Sequence, residues 1–506
     1  MQENHENTLK VVKESGIGLT GLLFGTVLNY VLLMVLTRWL DTDAFGTFVL
    51  AQSVVWLAAI LVLFGSPRAL DRYIPLYRAR NEPGRVRTLV RFIAIISIAV
   101  AVLAALVLWL LSPWLAGSVF RNPLLDATLA LMALTLPLIV VVRLVSFAFA
   151  GLKEMRYEVY LQHLATPLSK IALGLVVLAL GLGYMGWLWA YVAALAFVAL
   201  LAVWFVTRRL LPAIGSGPRE RIDIREIVAY SWPLGLTGVV VMLQGQIDVL
   251  FLGRYGPPAD VGIYRIYIQM CAPLLLVMMA FARIYKPVLC ELIAGGGTRD
   301  ALSLYRRVAR WIMLVNALGF LLLVLYGREI VALVFPVAYA GAPAVLGVLV
   351  AGRLANTSFG PEGMTLEAFG NTKLSLMNAV LMLAVNVGVD LVLVPRMGLL
   401  GAAIGATSAT TIGGLAGVIE IRVLHGFQPY TRRHLGIAAA MVAVVAAGLG
   451  ARTLLPGTGG FWLAAHLAIA VAVYALVVRV TGVLDDTDRA VARRLVDRAR
   501  GNGRRR

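Results

Sequence analysis

"NVGVDLVLVPRMGLLGAAIGAT" occupies residues 386–407. An apolar run ends at Pro395, which cannot continue a helical hydrogen-bond ladder. Gly398 and Gly401, three residues apart, mark a tight corner, and small residues then open the next apolar helix. The same corner is written earlier. In "ALGLGYMGWLWAY" (179–191), Gly183 and Gly186 match Gly398 and Gly401 at an offset of 215 residues. A chain that repeats one helix–corner–helix unit at this distance is built from two related halves.

Working outward from that corner, the composition is that of a membrane protein. Of 506 residues, 60% are hydrophobic and 14% charged, whereas a soluble domain carries roughly a quarter charged residues. Apolar runs of about 20 residues recur, each long enough to span a bilayer as a helix. About fourteen spans are predicted, near 16–37, 44–65, 92–112, 124–150, 157–181, 186–207, 230–252, 262–282, 311–327, 338–368, 374–394, 398–421, 435–452 and 460–480. The opening "MQENHENTLKVVKESG" is polar and mixed in charge, unlike a secretory signal, so the first span is expected to do the targeting.

The connections alternate in charge. "RALDRYIPLYRARNEPGRVRTLVR" (68–91), "RRLLPAIGSGPRERIDIR" (208–225) and the stretch from Arg283 to Arg310 are basic and fall on one side. The positive-inside rule puts that side, and both termini, in the cytoplasm of a cell-membrane protein. The net charge of +19 is thereby a topological signal, and no nucleic-acid partner is expected. Cys271 and Cys290 suggest neither a disulfide nor a metal site, and the five histidines show no ligand spacing. There is no G-x-x-x-x-G-K-[ST] phosphate loop and no nucleophile–base–acid constellation, so no enzyme activity, cofactor or metal is expected.

The repeat has further landmarks. "GLTG" stands at 18–21 and again at 235–238, an offset of 217. "DAFGTF" (43–48) resembles "DVGIYR" (260–265) at an offset near 216, and "DRYIPLY" (71–77) resembles "RIYKPVL" (283–289) at 212. The landmarks keep their order and frame a unit of six spans. Six is even, so both units enter the membrane from the same side, giving a parallel repeat about an axis along the membrane normal. The expected organisation is all-α: an N-lobe (1–207), a cytoplasmic linker (208–225), a C-lobe (226–430), two additional spans (431–482) and a basic tail (483–506) suited to anionic headgroups. A central cavity is expected between the lobes.

"RWLDTDAFGTFVLAQ", "RYIPLYRARNEPGRVR", "YSWPLGLTGVVVMLQGQIDVLFLGRYG" and the 386–407 run together resemble the polysaccharide-transport branch of the multidrug/oligosaccharidyl-lipid/polysaccharide (MOP) flippase superfamily, over roughly 10–430. The 386–407 run is the strongest piece, similar to that branch's "N…IP..G..GAA" pattern. Where many relatives read "LN..LIP", this chain has "VGVDLVLVP", which puts Asp390 on the span. The resemblance implies alternating-access transfer of polyprenyl-(di)phosphate-linked sugars from the cytoplasmic to the outer leaflet. It makes a lipid-linked oligosaccharide, membrane lipids, glycan-assembly proteins and a coupling H+ or Na+ the partners to test.

Charges inside the spans bear on the same question. Arg143, Lys170 and Arg353 are basic residues that no loop accommodates, and a cation near mid-bilayer costs several kcal/mol unless it meets a partner or a wet cavity. Either they line a cationic cavity for substrate, or they lock helices by pairing with Asp248, Glu362 or Asp390. Those three carboxylates, with Glu367, are also the residues available for ion coupling. At the cytoplasmic entrance, Arg68 and Arg72 share a helical face by their i,i+4 spacing, and Arg283 with Lys286 stand in the matching place. Tyr73, Tyr285 and the tryptophans around 187–189 are expected in the interfacial belt. A drug exporter of the same superfamily is the alternative, although an organic-cation exporter needs acidic residues that spans one to six lack at mid-depth. A membrane glycosyltransferase would need a large acidic outer loop, and every outer loop is short.

Overall fold

The structure, a computed structural model, describes residues 2–215, 217–218, 220–454 and 459–483. Side chains are described from Gly16 onward, without Leu19, Ala280, Arg283, Ile284 and Arg432. The side chain of Arg283 and nearly all of the 483–506 tail therefore lie outside the described residues. Among those described there is no strand.

The first helices are α1 (Gln2–Trp39), α2 (Thr42–Val62), α3 (Ser66–Ala79), α4 (Pro83–Trp114), α5 (Pro123–Ala133) and α6 (Thr135–Gly151). A π-helical stretch (Val159–Ala165) then leads into α7 (Thr166–Ala179), followed by α8 (Gly183–Phe205), α9 (Ile224–Gln244), α10 (Ile247–Tyr255) and α11 (Pro258–Ala294). The rest are α12 (Thr298–Val334), α13 (Pro343–Ser358), α14 (Glu362–Ala368), α15 (Thr372–Met397), α16 (Leu399–His425), α17 (Arg432–Leu454) and α18 (Gly460–Val480). Twelve helices among the described residues are long and apolar enough to cross a membrane, and α5 with α6, bent by 44°, makes a thirteenth. The span expected at 338–368 is instead two short helices, α13 and α14. The backbone breaks at Phe359–Pro361, where Gly360 takes a φ of +74° that only glycine adopts freely.

Other spans differ from hydropathy in the same physical way. The run expected at 92–112 begins at Pro83, where proline has no N–H to lose at a helix start. The run expected at 230–252 stops at Gln244 and resumes at Ile247. Span two does not carry on into the basic loop. It ends at Val62, the chain turns at Gly65 (φ +70°), and α3 begins afresh with Arg68 and Arg72 exposed on it.

The chain divides into two compact units. The first comprises residues 1–270 with 379–409, the second 271–378 with 410–506. Within the first, Ile74, Val86, Leu89, Val140, Phe149 and Leu161 form a buried core. Here also two glycines bring their helices into close contact. A Cβ at Gly46 would overlap the Pro258 carbonyl oxygen and stand 3.2 Å from the Gly262 nitrogen, and one at Gly262 would stand 3.3 Å from the Gly46 nitrogen. Gly46 and Gly262 are 216 residues apart, the repeat offset. Beside them Asp43 accepts a hydrogen bond from the Ala259 N–H at 3.0 Å.

In the second unit one core gathers Leu289, Tyr305, Leu366 and Ile421, and another packs Leu321 against Ile437, Val444 and Ala470 of α17 and α18. The aromatic residues assigned to an interfacial belt belong largely inside. Trp187 is 0% exposed, packed edge-on to Phe48 and Tyr191, while Trp189 alone of the pair faces outward. Tyr73 and Tyr285 are buried because their hydroxyls have partners: Tyr73 donates to Glu226 at 3.1 Å, and the Tyr285 and Thr365 hydroxyls stand 2.7 Å apart.

Candidate functional site

Two of the three intramembrane cations share one cavity in the first unit. Trp56 on α2 lines it, α6 brings Arg143, the π-helical stretch and α7 bring Gln162, Thr166 and Lys170, and α8 brings Tyr191. A single inserted residue changes which side chains a helix presents, and π-helical turns are frequent at functional sites for that reason. The Thr166 hydroxyl fits the widened turn, donating to the Leu161 carbonyl at 2.7 Å. The cavity measures about 100 Å³.

The charges in it rest on aromatic faces. The Arg143 guanidinium stands 4.3 Å from the Trp56 ring centre, and the Lys170 ammonium 4.2 Å from that of Tyr191. Such contacts offset desolvation by about 0.5–2 kcal/mol, less than a buried cation costs, and they leave the cation's hydrogen-bonding capacity open. Gln52 fixes the Tyr191 ring by donating to its hydroxyl at 3.0 Å. Neither Arg143 nor Lys170 makes an ion pair among the described residues; Glu158 acts on Arg143 only through space. Helix-locking pairs with Asp248 or Asp390 are not what these two cations form.

Sequence reasoning missed the aromatic and amide partners, and it missed Arg265. This residue lies on α11 and acts electrostatically on the same Tyr191. Its place just inside the eighth span reads as an end-of-helix charge. The available signal was the i,i+4 pair Gln52 and Trp56 on an otherwise apolar helix. Arg353 belongs to the second unit, half-buried on α13, where its carbonyl accepts the Thr357 hydroxyl at 2.9 Å.

At the expected entrance, Arg68 lines a second recess together with Arg143, and Arg72 stacks on Tyr230 at 3.9 Å. Asp71 lines the same recess beside Arg68. Lys286 is committed elsewhere, in an ion pair of 2.6 Å with Glu367.

Two of the three carboxylates meet. The Asn386 side-chain amide donates to Asp248 at 2.7 Å and to Asp390 at 3.2 Å, and Tyr264 donates to the other Asp248 oxygen at 2.8 Å. Asp248 is 6% and Asp390 0% exposed. Among the described residues the Oδ1 of Asp390 has no hydrogen-bond partner, and a Cβ on Gly405 would overlap it. Two acidic groups this close and this buried cannot both stay charged without a proton or a cation between them. The opening motif is thus a site as well as a corner: Asn386 and Asp390 precede the turn, and Gly405 after it leaves the space. Glu362 is in the second unit, at the first turn of α14, with its side chain against Gly417.

The model of the polysaccharide biosynthesis protein family matches residues 11–292, more than half of the chain. The chain belongs to that family. Its fold, a multi-pass helical membrane protein, is shared with MOP-superfamily structures. The lipid II flippase MurJ in an inward closed conformation superposes with a TM-score of 0.73 at 13% identity, covering 92% of this chain and 98% of that one. An inward-facing multidrug resistance MATE transporter gives 0.64 at 17% identity, with 79% and 94% covered. A MOP-superfamily transporter from Pyrococcus furiosus, described as having a binding pocket of reversed polarity, gives 0.57 at 16% identity, with 82% and 95% covered. No curated relative matches by sequence. Within the polysaccharide biosynthesis protein family, then, this member combines two aromatic-backed cations with a buried pair of acidic side chains.

Proposed function

We propose that this protein translocates a polyprenyl-phosphate- or diphosphate-linked oligosaccharide from the cytoplasmic to the outer leaflet by alternating access of its two six-helix lobes, with both termini cytoplasmic. The observation that carries the proposal is the cavity of Arg143 and Lys170. A phosphate or acidic sugar crossing about 30 Å of hydrocarbon needs replacement hydrogen bonds and opposite charge. Arg143 supplies a planar fork suited to phosphate oxygens, Lys170 a point charge, and Gln162 and Thr166 polar groups for sugar hydroxyls. Arg265 and Arg353 are assigned to the same substrate on their charge, and Arg68, Arg72 and Arg283 to its cytoplasmic approach, whereas Lys286 is held by Glu367. Transfer between leaflets makes and breaks no covalent bond, so no catalytic group is required. A cavity of this sign disfavours the organic cations that an exporter of the same fold would carry.

The Asp248–Asn386–Asp390 cluster is assigned the coupling ion, H+ or Na+, because either neutralises the pair at its shared amide; Glu362 is a separate carboxylate available for the same task. Lys170→Met and Arg143→Ala should each abolish glycan export at normal membrane abundance, with Arg143→Lys restoring part of it. Full export by the Ala and Met variants would remove these residues from the substrate path. Reporter fusions at either end that read an external location would overturn the orientation.

A further inference from the structure

Arg143 borders two different spaces. One is the cavity it shares with Gln162, Thr166, Lys170 and Tyr191, closed by Trp56, Ile139, Val142 and Leu195. The other is a recess of about 220 Å³ walled mainly by apolar side chains, among them Leu63, Phe64, Phe147, Leu234 and Met242, with Arg68 and Asp71 also in its lining. The recess exists because of two sequence features. The chain turns at Gly65, and α9 closes against that turn at Gly235, where a Cβ would stand 2.8 Å from the Gly65 nitrogen. Gly238 then lies within the recess lining with nothing within 4 Å of where its Cβ would be. The second "GLTG" thus spends one glycine on contact and leaves the other as open space.

An arginine that lines both a mainly apolar trough and a chamber holding a second cation, an amide and a hydroxyl matches an amphiphile whose phosphate joins a chain to a sugar. We propose that the recess of α2, α3, α6 and α9 holds the apolar chain next to the phosphate of the translocated lipid, with Arg143 on the phosphate and the sugar directed to Lys170 and Tyr191. This rests on the transport function proposed above and adds the substrate's orientation. Charge complementarity favours this occupant over a neutral lipid: Arg143 has no ion-pair partner among the described residues, while Arg68 already faces Asp71. The chain buries against side chains that would otherwise lie in an open apolar trough, and the phosphate gains a bidentate donor.

The test uses the purified full-length protein and two probes, an undecaprenyl-phosphate-linked sugar and the same sugar phosphate carrying a methyl group in place of the chain. Gly238→Leu fills the trough, and the open space at its Cβ lets the variant fold. The expected result is binding of the long-chain probe weakened by about tenfold or more, with methyl-phosphate binding within about twofold of wild type. In a second measurement, a photoreactive benzophenone side chain in place of Met242 should label the long-chain probe on its first isoprene units. Unchanged long-chain binding, equal losses for both probes, or labelling of bulk phospholipid while the probe saturates would each overturn the assignment of the trough. If the wild-type protein binds neither probe, the transport function itself fails, and that failure is separable from the others.

Discussion

Asp390 shows how one residue can be visible in a sequence while its meaning is not. Its position on a span is plain, and so is its carboxylate chemistry. Its neighbours are not: Asp248 is 142 residues away, and Gly405 lies across the corner on another helix. A buried acidic pair on one amide is stable only when a proton or cation is held there. Asp390→Asn keeps the shape and removes one charge. Wild-type protein in detergent should therefore unfold at a temperature that depends on Na+ or on pH, and Asp390→Asn should lose that dependence without losing stability. A melting temperature equally sensitive in both proteins would move ion coupling away from this cluster. The basic residues were legible in the same partial way. Arg143 and Lys170 stand out as charges inside spans, but the rings beneath them and the π-helical turn that orients α7 depend on packing across helices, which no local pattern encodes.

Helices are more legible in the sequence than their breaks. Long apolar runs stand out because the bilayer imposes their length. Interruptions do not: "SFGPEG" (358–363) carries both a glycine and a proline, yet it lies inside an apolar stretch, and the structure separates α13 from α14 there. The belt residues failed for another reason. Tyrosine and tryptophan near span ends read alike whether they face lipid or core, and only partners such as Glu226 and Thr365 distinguish the two. Gly46 and Gly262, one repeat offset apart in the sequence, are in close contact. Gly46→Val should cost at least about 1–3 kcal/mol through forced backbone displacement, seen as low abundance and a lowered melting temperature in detergent. Gly347→Ala, where a Cβ meets nothing within 4 Å, should stay within about 0.5 kcal/mol of wild type. Equal tolerance at both positions would mean that the two helices do not need this contact.

At the scale of the whole molecule, the recurring apolar runs make a multi-pass helical membrane protein legible in the sequence. Four landmarks at nearly one offset, an even number of spans per copy and basic loops on one side lead to the further expectation of a parallel two-copy arrangement. Substrate chemistry is less legible, since it rests on a few charges whose environment only the fold supplies. The central claim is transfer of a phosphate-linked sugar lipid between leaflets through the cavity of Arg143 and Lys170. Its most direct measurement is reconstitution of purified protein into liposomes holding an undecaprenyl-phosphate-linked sugar in one leaflet, with time-resolved exposure of the sugar to an impermeant glycosidase. Wild-type protein should expose the sugar much faster than empty liposomes, and the Arg143→Ala, Lys170→Met double variant at equal density should not. No acceleration by the wild-type protein under an imposed Na+ or H+ gradient of either direction, or undiminished transfer by the double variant, would contradict it.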